Sequence, residues 1–341
     1  MYPSKIDLAV LCVFFIRPET FAQVFEQVRQ ARPSRLFLYQ DGPREGRPED
    51  AEKIARCRQI AEEGIDWDCQ VYRNYQEKNV GVDPSMYNAI TWMFSYVDKG
   101  VILEDDIVAS QSFFPFCKEL LDRYENDNRI FTIAGMNHLD VYGPENADYF
   151  FSRRSAIWGW ATWKRCVEMF DTEYSFLSDP YTIRLMKPQI QALEEKTKLC
   201  RQHKESGIRY FETIIWNTKS TQNMLDIVPV KNLTSNIGVG AGGSHGAGSM
   251  EVVPRGLRQV YYKKTYEYDF PLRHPRHMVP DTYYTERFCR ILSEGHPFIK
   301  AGRGVEGGFK SFIHSSPKER REKWKRLPST LKSLFRMAKG G

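Results

Sequence analysis

Residues 101–108 read Val-Ile-Leu-Glu-Asp-Asp-Ile-Val. An apolar, β-branched run of the kind that fills a buried strand ends in three adjacent carboxylates. Acids crowded at a strand terminus repel one another and lose hydration, so the cluster calls for a divalent cation or a set of donors against it. This places a charged site at the carboxyl edge of an α/β sheet, the edge where ligands bind in open sheets of that class. The alternative is a helix N-terminus, where Asp is common; Gln111 and Ser112 offer a later start for the helix that follows.

With 341 residues, 41% of them hydrophobic, the chain can bury a large core as one α/β unit or two smaller ones. Its apolar runs, such as residues 8–16, fall short of the roughly 20 residues of a spanning helix. That run leads into Arg17-Pro18-Glu19 without a small-residue cleavage site, so no secretory signal is expected. Seven cysteines with no Cys-x-x-Cys pair read as reduced thiols rather than a disulfide framework or zinc cage. Together these predict a cytoplasmic protein. The net charge of +6 is concentrated at one end: residues 318–339 carry nine Lys and Arg against two Glu, a net +7, which leaves about −1 for the rest. A near-neutral body with a basic tail argues against a nucleic-acid groove and for an interaction made by the tail alone.

The opening alternates. Residues 6–16 predict a central strand, and 20–32 a helix with Phe21, Val24, Phe25 and Val28 on one face, ended by Pro33. Residues 35–39 predict a second strand running into the turn Gln40-Asp41-Gly42-Pro43, then a charged helix over 48–63. A third strand (68–72), a loop (79–84), a helix (85–96) and a fourth strand (101–105) complete a largely parallel sheet with helices on both faces. Beyond it come a helix (113–124), a strand (130–134), a polar connection (137–148), helices at 188–203 and 209–219, a short strand (226–230) and a glycine-rich loop (238–248). Residues 252–312, rich in Tyr, Arg, His and Pro, predict an extension that wraps the body.

Three motifs carry a resemblance: Glu104-Asp105-Asp106 followed by Phe113-Phe114, the run Ser155-Ala156-Ile157-Trp158-Gly159-Trp160-Ala161-Thr162-Trp163, and Ile227-Val228-Pro229 through Asn232-Leu233 and Ser235-Asn236-Ile237-Gly238 to His245. In this order they resemble the GT-A fold glycosyltransferases, the nucleotide-diphospho-sugar transferases, over roughly residues 6–250. The acidic motif is similar to the Glu-Asp-Asp form found in bacterial surface-polysaccharide transferases and in the animal N-acetylglucosaminyltransferase that begins complex N-glycan branching.

Composition gives a wrapping extension over 251–315 and a basic amphipathic tail over 316–341; the resemblance implies a mixed, mostly parallel sheet in a catalytic domain over 1–250. It implies a metal-dependent, inverting hexosyl- or N-acetylhexosaminyltransferase of bacterial surface-glycan assembly. The sugar would move from a nucleotide diphosphate, UDP favoured, to a saccharide acceptor. Charge growing on the departing diphosphate needs neutralising, and Mn²⁺ or Mg²⁺ with one or two protein carboxylates suffices. Asp106 is the expected ligand, Asp105 the ribose contact and Glu104 a supporting group; His245 is expected at the metal or the phosphates. Arg17 and Asp41, past the first two strands, are expected at the nucleotide, with Asn79 and Gly81 in the next wall; Asp41 before Gly42 could equally be a turn former. Related bacterial sequences place an Asp about 14 residues before the Ile-Val-Pro strand, where this chain has Glu212, the expected base for the acceptor hydroxyl, with Asp226 and Glu205 as substitutes. Trp158 or Trp160 is expected to stack on the acceptor, the alternative being that both are core aromatics.

Ser316-Pro317-Lys318-Glu319 has the spacing of a capping box, and Leu331, Leu334, Phe335 and Ala338 share a face flanked by basic residues. This predicts an interfacial helix drawn to anionic lipid, suited to a lipid-linked acceptor at the inner face of the cell membrane; the alternative is a solvated tail. Two rival functions remain. A sugar-1-phosphate nucleotidyltransferase should carry a glycine-rich N-terminal signature, whereas this chain has Phe14-Phe15-Ile16-Arg17-Pro18. A non-catalytic glycan- or membrane-binding protein could keep the same fold.

Overall fold

The computed structural model describes residues 1–240 and 249–314. The first half alternates β1 (Ile6–Phe14), α1 (Pro18–Ala31), β2 (Pro33–Gln40), α2 (Glu49–Gly64), β3 (Gln70–Tyr75), α3 (Val82–Met93) and β4 (Lys99–Glu104). Residues 8–14 of β1 are all buried, which is why the strand is apolar at successive positions rather than alternating. Helix α1 buries Phe21, Val24, Phe25 and Val28, and stops at Arg32, whose left-handed conformation turns the chain into Pro33.

After β4 come β5 (Ile107–Ala109), α4 (Phe113–Arg123), β6 (Ile130–Ala134), β7 (Tyr149–Ser152), β8 (Trp160–Trp163) and a single turn, α5 (Lys164–Val167). The three acids therefore sit at the junction of β4 and β5, not at a helix N-terminus. Helices α6 (Pro180–Met186), α7 (Leu193–Ser206) and α8 (Phe211–Thr221) lead to β9 (Leu225–Pro229) and β10 (Thr234–Asn236). The helix expected over 188–203 is displaced: Asp179 caps α6 through the Tyr181 and Thr182 amides, and a second helix, α7, begins only at Leu193. Strands β7 and β8 were not expected. Each has four residues, all buried, so neither shows an alternating pattern.

The main sheet has the order β3-β2-β1-β4-β8-β6-β9-β7. Strands β1 to β4, β6 and β9 run one way; β8 and β7 run against them. This is a mixed, mostly parallel α/β sheet flanked by helices. A second, two-stranded sheet pairs β5 with β10 antiparallel.

The C-terminal part carries α9 (Arg255–Arg258), α10 (Thr282–Leu292) and α11 (Pro297–Ile313). It is tied to the sheet at several points: Glu267 accepts from the Gln111 and Ser112 amides ahead of α4, Arg273 pairs with Asp148, and the Asp281 amide donates to the Phe151 carbonyl at 2.7 Å. Among the described residues no helix is long and apolar enough to cross a membrane. The tail over 316–341 lies outside the described residues.

Candidate active site

Parallel pairing sets the site. Val13 at the end of β1 lies opposite Glu104 at the end of β4, so the acids emerge beside the β1–α1 loop. The Phe15 amide donates to Asp105 Oδ2 at 3.1 Å. Arg17, at the N-terminal boundary of α1, donates through Nη1 to Asp106 Oδ2 at 2.8 Å and through Nη2 to Asp105 Oδ1. One guanidinium thus bridges two adjacent carboxylates.

The electrostatics leave the cluster short of positive charge. Burial, with Asp106, Asp105 and Glu212 adding repulsion, holds the Glu104 carboxyl well above the usual range. Burial also raises Asp105, opposed by Arg17 and reinforced by Asp106. Glu212, exposed in the first turn of α8, is therefore within electrostatic reach of Glu104. Four carboxylates share one arginine.

Asp41 is buried at the end of β2 and acts as a clasp. It accepts from the Gly42 amide at 2.9 Å, the Val80 amide at 3.0 Å, the Gly81 amide at 3.0 Å and Asn79 Nδ2 at 2.8 Å. These donors reach both carboxylate oxygens, so Asp41 anchors the 79–81 loop while also lining the cavity beside it. Gly81 there has φ +89°, a conformation that side chains rarely adopt. A cavity of about 300 Å³ opens between this loop and the acids, and Arg17, Asp41, Asn79, Gly81, Glu104 and Asp105 all line it.

Sequence reasoning missed several neighbours. Arg44 lines the same cavity, held by the buried Asp50 at 2.7 Å and lying over the Phe15 ring. Pairing of β5 with β10 and a hydrogen bond from the Ile237 amide to the Asp106 carbonyl (2.9 Å) bring Gly238 against the Asp106 carboxylate. Tyr261, from the extension, is close enough for the Asp106 charge to add to the effect of burial in raising its phenol. No spacing rule points to a lone Tyr in a Tyr-rich segment 155 positions after Asp106.

The two tryptophans separate. Trp158 is half-buried and packs on Tyr261 with ring centroids 5.6 Å apart. Trp160 is wholly buried inside β8, so it cannot touch an acceptor; its strand pairs with β4 and β6 and puts the indole in the core. Asp226, a substitute base, is also sealed: it is fully buried and paired with Lys219 at 2.5 Å. Glu205 is exposed on α7. His245 lies outside the described residues.

Among the described residues no three His, Cys, Asp or Glu side chains form a closed cage for a metal. A hard cation that keeps water and phosphate oxygens in its shell needs only one or two carboxylates. The surplus of carboxylate over Arg17 fits such an ion at Asp106, which accepts from Arg17 through Oδ2 alone.

No family model matches this chain, and no curated protein does. Among solved structures it is similar to the crystal structure of mouse xyloside xylosyltransferase 1 in its apo form, at 10% sequence identity and a TM-score of 0.32, over 64% of this chain and 84% of that one. At that level the activity has to be argued from the site itself.

Proposed function

We propose that the protein is a metal-dependent, inverting glycosyltransferase that moves a sugar from a nucleotide diphosphate to a saccharide acceptor. The observation that carries this reading is the cavity lined by Arg17, Asp41, Asn79, Gly81, Glu104 and Asp105 at the carboxyl edge of β1, β2 and β4, with Glu212 within electrostatic reach of Glu104. The 79–81 loop, clasped by Asp41, forms one wall for the nucleoside. Arg17 supplies fixed positive charge beside the diphosphate. Asp106 would hold Mn²⁺ or Mg²⁺, which when bound neutralises charge on the departing diphosphate, with Asp105 beside it at the ribose. Glu212, exposed at the cleft, takes the proton of the attacking acceptor hydroxyl. Trp158 and Tyr261 form an aromatic wall suited to the apolar face of the acceptor sugar.

A lipid-linked acceptor, with the basic segment 316–339 held at an anionic membrane surface, belongs to the same reading. The test is release of nucleotide from UDP-, GDP- and dTDP-sugars, with Mn²⁺ or with EDTA, for the wild type and Asp106→Ala. Release from one donor, abolished by EDTA and by the substitution, is the expected result. No release together with no metal-dependent thermal shift from any donor would overturn the reading.

A further inference from the structure

A larger cavity, about 710 Å³, lies away from the acids and none of the expected site residues lines it. It opens between α6, the C-terminal half of α8, the Arg153-Arg154 segment after β7, and α10. Its floor is apolar, made by Met186, Trp216 and Met224, all buried. Its rim carries Arg153, Arg154, Lys187 and Lys219 against Glu286 and Glu294, a positive balance. Arg154 gives Nη2 to both oxygens of Glu294 at 2.6 Å, and Lys196 also binds Glu294, so that carboxylate is consumed. Lys219 is held by Asp226. Arg153 remains open: it has no acidic partner among the described residues, its guanidinium donating to the amide oxygen of Asn223. Arg154 also lines the cavity, but its Nε is sealed from it.

We infer that this cavity is a second binding site, for a saccharide carrying a carboxylate or phosphate, its anion held by Arg153 beside the Arg154–Glu294 pair and a ring face on the Met186–Trp216–Met224 floor. Arginine forks match the geometry of both anions, and the apolar floor suits the C–H face of a sugar. The site is tied to the catalytic cleft through one helix. Trp216 and Lys219 follow Glu212 on α8 by four and seven residues, which places them on its face of the helix, roughly 6 and 10 Å further along the axis. Resting on the glycosyltransferase reading, this assigns the cavity to an acidic residue of the acceptor, set apart from the reacting hydroxyl, and makes the acceptor an anionic glycan.

The test titrates the full chain, labelled with ¹⁵N-arginine, with glucose, glucuronate, glucose 6-phosphate and, separately, UDP. Signals of Arg17 and Arg153 Nε are assigned from single Arg→Gln variants. Glucuronate or glucose 6-phosphate should move Arg153 and bind at least about tenfold more tightly than glucose, and Arg153→Gln should remove that margin. The two anionic probes distinguish a carboxylate acceptor from a phosphate one. If neither moves Arg153, or glucose binds as well, the inference fails. UDP reports independently: a shift of Arg17, retained in Arg153→Gln, supports the donor cleft whatever the second cavity does.

Discussion

Gly238 and Asp106 are packed so closely that a β-carbon on the glycine would lie 2.1 Å from the carboxylate Oδ2 and 3.1 Å from Arg17 Nη1. The small sheet of β5 and β10 exists at the place where the acids leave the main sheet, and it presses backbone, not side chain, against them. Tyr262 fixes that backbone by donating its hydroxyl to the Ile237 and Val239 carbonyls.

Gly238→Ala should therefore displace the Asp106 carboxylate from Arg17. Overpacking of this kind costs about 1–3 kcal/mol. The check is a lower urea midpoint with an unchanged m-value, accompanied by loss of any metal-dependent thermal shift.

Arg17→Ala removes the counter-charge of two carboxylates. Breaking a largely desolvated pair costs about 3 kcal/mol at neutral pH. The loss should shrink near pH 5, because Asp105, already raised to about 6, then takes up a proton instead of standing unopposed. Urea titrations of both proteins at the two pH values measure it.

Glu104 and Asp105 titrate higher in the folded chain than in the unfolded one. Between about pH 4, the ordinary carboxylate range, and the folded values, the native state holds protons that the unfolded chain has released, so this contribution to stability falls as pH rises. Glu104→Gln should flatten the slope and be more stable than wild type at pH 7. A stability difference that does not grow from pH 4 to 7 would contradict it.

Lys219 and Asp226 form a pair in which both side chains are buried. Lys219→Met alone should cost about 3–5 kcal/mol by stranding Asp226, while Lys219→Met with Asp226→Leu should recover most of it. Denaturation midpoints of the single and double variants decide this.

Trp160→Ala should cost about 3–5 kcal/mol, as for other large core residues. Trp158→Ala, half-exposed beside Tyr261, should cost clearly less and should instead raise the KM for acceptor. Thermal denaturation and acceptor kinetics on the two variants separate core from contact.

The sheet's first half was legible because each element carries its own signal: the buried run of β1, the apolar stripe of α1, the Asp-Gly turn after β2. Strands β7 and β8 were not legible, because four fully buried residues leave no period to read. The acids announced themselves by cost alone. Asp41 shows the limit of that reasoning: an Asp at a strand end reads equally as a ligand contact or a turn former, and only the folded chain shows the four donors it clasps.

Sequence by itself determined that a carboxylate cluster ends a buried strand and that Arg17, Asn79 and Gly81 lie in loops beside strands and helices, since apolar runs and turn chemistry are local properties. Tertiary structure alone decided which distant groups meet that cluster: Gly238 through the β5–β10 pairing, Tyr261 through the returning extension, and Glu212 through the placement of α8. It also decided that Trp160 is core while Trp158 is not, two residues apart in one motif. The reason is physical: burial and long-range charge depend on what the rest of the chain folds against a residue, and no local spacing encodes that.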